Sequence, residues 1–250
     1  IAHQRQGDIL QRKYWSRHMR LPWADWALLG AYGAASAARK LSVALVIAGI
    51  FAQQAAAEVR ILAFGDSLTQ GFGLPEAEGF VPRMQDWLRA NGAPDAVVIN
   101  GGVSGDTTAG GAARIAWSLQ DDVDGVIVAL GGNDLLRGID TGLMRENLDA
   151  ILTEIDAKGL PMILAGLPAP VNFGPEYERE FKDMFRELAE QHGAIYYPSF
   201  LAGMGQGRNV LQVMQLMQPD GIHPNAEGVE AIVEHMGPTV LELVSAARKS

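Results

Sequence analysis

The sequence predicts a three-layer α/β/α domain built on a parallel sheet, and three observations carry that prediction. From Val59 onward five short apolar runs alternate with segments of helical period. Each run is nearly continuous in hydrophobicity, as strands covered on both faces are. The turns after the first three runs are crowded with Gly and short polar residues, the composition of a sheet edge that meets ligand.

The elements follow in order. "VRILAF" (59–64) is the first strand and leads through "GDSLTQG" toward a helix over 79–91. "AVVIN" (96–100) is the second; "GGVSGDTT" follows it, with a helix over 107–119 capped by Thr107. "GVIVAL" (125–130) is the third, followed by "GGNDLLRG" and a helix over 142–158 with Thr141 as its cap. "PMILAG" (161–166) leads through "LPAPVNFG" to a helix over 175–191. "AIYYP" (194–198) is the last strand, and the final helix over 225–247 is capped by Asn225, just after Pro224. Five strands linked by helices in this length argue for one doubly wound domain over 58–250. Ligands in such sheets bind beyond the carboxyl ends of the strands, so the turns matter most.

Composition bounds the function. The chain has 250 residues, 48% hydrophobic and 20% charged, which fits a globular protein. Before Glu58 there are 7 Lys+Arg and 2 Asp+Glu; from Glu58 onward there are 13 and 27. The body therefore carries a net charge of −14 and is a poor partner for nucleic acid. The absence of cysteine excludes a thiol nucleophile, disulfides and Cys-ligated zinc.

Residues 1–57 read as a leader. "RK" (39–40), the apolar "LSVALVIAGIFA" (41–52) and "AAA" (55–57) read as a secretory signal with cleavage near Ala57, the apolar core being short for a bilayer span; the alternatives are a buried helix of the domain or an uncleaved membrane anchor. This predicts a periplasmic or secreted protein with no stable membrane anchor after cleavage. Residues 1–38 exceed what a signal needs, and a translation start at Met19 would shorten the leader.

The chemistry centres on Ser67 of "GDSLTQG". Taken alone, a serine after a strand is most simply a helix cap. A phosphate loop is excluded by the lack of G-x-x-x-x-G-K-[ST]. A nucleophile needs a base and a third group to orient that base. The body offers His192, His223 and His235. His192 sits at a helix C-terminus beside Gly193, and His235 lies within the last helix. His223, in "DGIHP", is in a Pro/Gly turn on the same sheet edge as Ser67, three residues after Asp220, whose carboxylate can meet the ring at Nδ1. Oxyanion donors are available from the Gly105 N–H, the Asn133 amide and the Ser67 N–H. Asp66, Asp106 and Asp134 flank these residues and are expected to brace the turns through hydrogen bonds.

These four blocks, "GDSLTQG", "GGVSGDTT", "GGND" and "DGIHPN", occur in the order found in the SGNH hydrolases, also called the GDSL esterase/lipase family, which the chain resembles from Arg60 to its last helix. The wording "SGDTT" is most similar to the bacterial acyl-CoA thioesterase I, lysophospholipase and arylesterase branch. The resemblance implies a flavodoxin-like sheet of five parallel strands, a triad of Ser67, His223 and Asp220, and an oxyanion hole of Ser67, Gly105 and Asn133. It implies a small acyl ester or thioester as substrate, cleaved through an acyl-enzyme, with no metal or cofactor. G-x-S-x-G, the nucleophile elbow of α/β-hydrolases, is absent. Residues 135–140, 167–177 and 201–218 are expected to line the pocket mouth, where Met204, Met214 and Met217 either meet an acyl chain or pack a helix onto the sheet. The alternatives are a carbohydrate O-deacetylase and a catalytically silent binding protein.

Overall fold

The computed structural model describes residues 58–168 and 174–249, all within one unit, Ala57–Ser250. The expected leader lies outside the described residues. Five strands, β1 (Val59–Gly65), β2 (Ala96–Gly102), β3 (Gly125–Ala129), β4 (Met162–Ala165) and β5 (Ile195–Tyr197), form one sheet in the order β2-β1-β3-β4-β5, every pairing parallel. The direction of winding reverses between β1 and β3, which opens a crevice at their carboxyl ends.

The long helices are α2 (Phe80–Ala90), α3 (Thr108–Ser118), α5 (Thr141–Ala157), α6 (Pro175–Gln191) and α9 (Ala226–Ala247), each within a residue or so of its expected range. They cover both faces of the sheet, and the period of two along each strand decides which residues meet which layer. Ile61, Ala63, Ile127, Ala129 and Ile163 pack against α2 and α9, with Met84, Leu88, Val233, Met236 and Val240. Leu62, Phe64, Val126, Val128 and Leu164 face α3, α5 and α6, against Ile115, Leu148, Ile151, Phe181 and Phe185.

Caps hold the helix starts. Thr107 accepts from Gly110 N–H at the head of α3, and Asn225 from Gly228 N–H at the head of α9. The expected cap of α5 is corrected: Asp140 takes that place and accepts from Gly142 and Leu143 N–H. An aspartate brings a full negative charge to the positive end of the helix. Thr141 is the first helical residue, and its hydroxyl donates instead to Glu180.

Four short helices, α1 (Ser67–Gln70), α4 (Gly132–Arg137), α7 (Ala202–Gly205) and α8 (Val210–Met214), complete the fold; α1 is the helix start expected at Ser67, and α4 occupies a stretch that reads as a turn. Residues of α1 and α4 line the cavity at the carboxyl edge of the sheet. Among the described residues no helix is long and apolar enough to cross a membrane.

Two leucines of α5 test the layering. Leu148 is fully buried and Leu143 is half exposed. Leu148→Ala should destabilise the fold by about 2–5 kcal/mol, whereas Leu143→Ala should cost less than about 1 kcal/mol, both read from urea denaturation.

Candidate active site

Strand β1 ends at Gly65, and the chain turns at once into α1. Asp66 is the N-cap of that helix, its Oδ1 accepting from Leu68 N–H at 3.0 Å, so Ser67 is not the cap but the first helical residue. This leaves the Ser67 side chain free and its N–H among the helix-start donors without an intrahelical acceptor.

The expected base, His223, reaches Ser67 from the far end of the chain. His223 Nε2 lies 2.8 Å from Ser67 Oγ, and His223 Nδ1 lies 2.7 Å from Asp220 Oδ2. The other carboxylate oxygen, Oδ1, accepts from the backbone N–H groups of Ile222 and His223 at 2.9 and 3.0 Å. One carboxylate therefore folds the turn and orients the ring. Gly221 occupies the left-handed region at φ +67°, which lets "DGIHP" close so tightly. Gln218 clamps the turn by donating from its side chain to Phe72 and Pro224 carbonyls, and its N–H meets the His223 carbonyl at 2.7 Å. The Phe72 ring covers the imidazole, with centroids 4.7 Å apart. The backbone donors and His223 hold the Asp220 carboxyl down at about 2, so it is ionised at any ordinary pH.

The expected donors face the same cavity. Gly105 lies in the left-handed region at φ +81°, and its N–H has no protein acceptor among the described residues. Its carbonyl is held by Arg137 at 2.9 Å. Asn133 stands in the first turn of α4, where one amide hydrogen is anchored on the Asp106 carbonyl at 2.9 Å. Its other near acceptor, Asp66 Oδ2, is 3.4 Å away, so the second hydrogen is weakly engaged and open to a stronger acceptor.

The three flanking aspartates brace the edge as expected. Asp134 is fully buried and takes both the hydroxyl and the N–H of Thr108, at 2.6 and 2.9 Å, fastening α4 to α3. Asp106 pairs with Arg114 at 2.7 Å. Arg114 went unrecognised in the sequence. Its guanidinium lies 3.9 Å over the Phe64 ring and donates to the Gly65 and Gly101 carbonyls, tying together the ends of β1 and β2. Asp66 is buried, and loss of water pushes its carboxyl up to about 6 despite the Leu68 hydrogen bond.

The cavity is about 460 Å³ and is bounded by Ser67, Gly105, Asn133 and His223, a size suited to a small ligand. Its apolar wall includes Leu135, Leu136, Leu167, Pro168, Leu201 and Met217 from the three expected segments. Phe72 and Ile222 also line it. Their sequence signal was an apolar residue set in or beside a polar turn. Residues 169–173 lie outside the described residues. The three methionines divide: Met204 is buried in the core, Met217 lines the cavity, and Met214 stands exposed. Among the described residues the other two histidines have structural partners, His192 in Asp149 and Asp156, and His235 in Tyr197. Among the described residues no group of three or more His, Asp or Glu is arranged to hold a metal ion.

A serine bonded to an Asp-oriented imidazole, with Gly105 and Asn133 facing the same cavity beside a five-stranded parallel sheet, is the arrangement of the SGNH hydrolases. The chain belongs to the GDSL-like lipase/acylhydrolase family, whose model matches residues 63–231. It is 35% identical to the esterase TesA of Pseudomonas aeruginosa over 80% of this chain and 99% of that protein. It is 31% identical to thioesterase 1/protease 1/lysophospholipase L1 of Escherichia coli K12, over 77% of this chain and 88% of that protein. Among solved structures, the SGNH-hydrolase family esterase AlinE4 superposes with a TM-score of 0.61 at 40% identity, covering 75% of this chain and 97% of that one.

The raised Asp66 carboxyl has a measurable effect on stability. The folded protein keeps this proton up to about pH 6, whereas an ordinary aspartate loses it near 3.8. Folding takes up a proton between those values, so stability falls as pH rises through the window and stays lower above it. Asp66→Asn keeps an oxygen for the Leu68 N–H and removes the buried charge. Its stability relative to the parent should rise by about 2–3 kcal/mol between about pH 3 and about pH 8, measured by urea denaturation at both.

Proposed function

We propose that Ser67 is the nucleophile of this acylhydrolase, with His223 as its base, Asp220 as the group that orients His223, and an oxyanion hole of Ser67 N–H, Gly105 N–H and the Asn133 amide. The protein is a carboxylic ester or thioester hydrolase. The observation that carries the assignment is the continuous relay from Ser67 Oγ to His223 Nε2 at 2.8 Å and from His223 Nδ1 to Asp220 at 2.7 Å.

In the proposed cycle, His223 Nε2 accepts the Ser67 proton as Oγ attacks the carbonyl carbon. The carbonyl π electrons move to oxygen, and the oxyanion is met by the three donors. When the intermediate collapses, the bond to the leaving oxygen or sulfur breaks and His223 returns the proton to it. The acyl group stays on Ser67 until water, deprotonated by the same imidazole, repeats the sequence and releases the acid. Asp220, held near 2, stays ionised throughout and stabilises the imidazolium. The apolar cavity suits an acyl chain better than a sugar, which favours acyl esters and thioesters over a carbohydrate O-deacetylase.

We also infer that residues 1–57 are a leader containing an export signal cleaved near Ala57 and that the catalytic domain, residues 58–250, works in the periplasm or outside the cell, without a membrane anchor and without nucleic acid. The basic "RK", the apolar core over 41–52 and the small residues at 55–57 support this. Mass spectrometry of the protein from cells should find a mature N-terminus just after Ala57; one before Arg39 overturns the cleavage.

Ser67→Ala should lower kcat on p-nitrophenyl esters by roughly 10⁴- to 10⁶-fold, and Asn133→Ala by about 10²- to 10³-fold. A fluorophosphonate probe should label the parent at Ser67. Wild-type turnover in Ser67→Ala would exclude this serine as nucleophile, and an intact protein that never labels would favour a silent binding protein.

A further inference from the structure

The backbone amide proposed as an oxyanion donor belongs to a turn. The Asp106 N–H donates to the Val103 carbonyl at 3.1 Å, and Gly105, third of the four residues, has φ +81°, while Ser104 lies outside the positive-φ region. That is a type II turn, whose middle peptide joins Ser104 to Gly105 and carries the Gly105 N–H. Types I and II share the closing hydrogen bond and differ by turning this middle peptide over. The closing bond by itself therefore does not decide where the Gly105 N–H points.

Side chains on two short helices hold the turn from its flanks. On one side the Ser104 hydroxyl donates to the Gln70 side chain, at the end of the helix α1 that begins with Ser67. On the other, α4 takes two successive carbonyls: Asn133 Nδ2 donates to that of Asp106 at 2.9 Å, and Arg137 Nη2 to that of Gly105 at 2.9 Å. Asn133 and Arg137 are four residues apart and so stand on one face of α4. Asp134 binds Thr108 at the head of α3, which fixes α4 to the element that the turn leads into. Arg137 thus completes a clamp in which the helix that carries the Asn133 amide grips the residue that supplies the Gly105 N–H. Its side chain is exposed, and among the described residues that carbonyl is its only hydrogen-bond partner.

We propose that Arg137 is a positioning residue for the hydrolysis: by holding the Gly105 carbonyl it keeps the Gly105 N–H and the Asn133 amide converging on one substrate oxygen. This rests on the assignment of the oxyanion hole above. Donors of this kind act fully only when held to within about 0.5 Å of their productive geometry. A donor peptide that pivots weakens the contact that matters in the transition state, where the charge has developed, and hardly alters the binding of the neutral ester. Loss of Arg137 therefore acts on kcat and not on KM.

The test is steady-state hydrolysis of p-nitrophenyl butyrate, a neutral ester, by Arg137→Ala, Arg137→Lys and Lys182→Ala. Arg137→Ala should lower kcat roughly three- to twenty-fold with KM within about two-fold of the parent, the range of a charge-assisted hydrogen bond discounted for exposure. Arg137→Lys keeps one donor that can reach the carbonyl and should recover a large part of the loss. Lys182→Ala removes the same charge from α6, outside the cavity lining, and should leave kcat unchanged. Guanidinium at about 50 mM, far below the molar range that unfolds proteins, should restore part of the kcat of Arg137→Ala where sodium chloride at the same ionic strength does not. A variant that had merely lost stability would gain nothing from it. An unchanged kcat in Arg137→Ala, a loss confined to KM, or a kcat loss that neither lysine nor guanidinium recovers overturns the proposal. Parental kcat in Asn133→Ala would instead overturn the oxyanion hole on which it rests.

Discussion

Strand β1 is hydrogen-bonded on both flanks, and the chain leaves it through Gly65 into a space with no room for a methyl group. A Cβ there would lie 2.1 Å from Thr69 Oγ1 and 2.7 Å from the Ala129 carbonyl. That crowding lets α1 begin directly over the sheet edge, with Ser67 in its first turn. Gly102, opposite Gly65 in the register of β2, is equally hemmed in, since a Cβ would meet Gln70 N at 2.4 Å. Arg114 then fastens the two strand ends through the Gly65 and Gly101 carbonyls and reaches on to Asp106, whose own carbonyl orients Asn133. The strand end that carries Ser67 and the Asn133 amide are thus linked through a single buried guanidinium.

Two carboxylates near the serine illustrate how environment divides labour among identical side chains. Asp220 is exposed to water and accepts two backbone N–H groups and the His223 ring, so its charge is strongly favoured. Asp66 is buried behind the serine with fewer donors, so its charge is disfavoured. Only the first is suited to stand opposite an imidazolium. The second is better understood as the cap that frees Ser67 from capping, and as a distant neighbour of the Asn133 amide. Preorganised dipoles of this kind need no rearrangement as charge develops on a substrate oxygen.

The strands and long helices were legible because each carries a signal spread over many residues. Continuous apolar runs such as "GVIVAL" mark strands covered on both faces, and a helix like α5 repeats its period over several turns. Short helices of four to six residues, α1, α4, α7 and α8, are too brief to show a period. The cap of α5 was misplaced by one residue because Asp140 and Thr141 are both good caps and only backbone geometry separates them. Arg114 escaped notice for a different reason. Its partners Gly65 and Gly101 are backbone carbonyls distant in sequence, and a carbonyl belongs to every residue alike.

What the sequence by itself determined was the fold class, the family and the identity of the candidate site residues. Apolar period is local, and the four polar blocks each follow a strand or precede a helix, so a parallel sheet brings them to one edge. What only the tertiary structure decided was how they meet. That His223 stands 2.8 Å from Ser67, 156 residues away in the chain, depends on β1 and α9 packing across the core. That Met217 lines the cleft while Met204 is buried depends on how 201–218 folds over α9. Residue type sets what a side chain can do, and long-range packing, where each contact joins distant segments, sets what it touches.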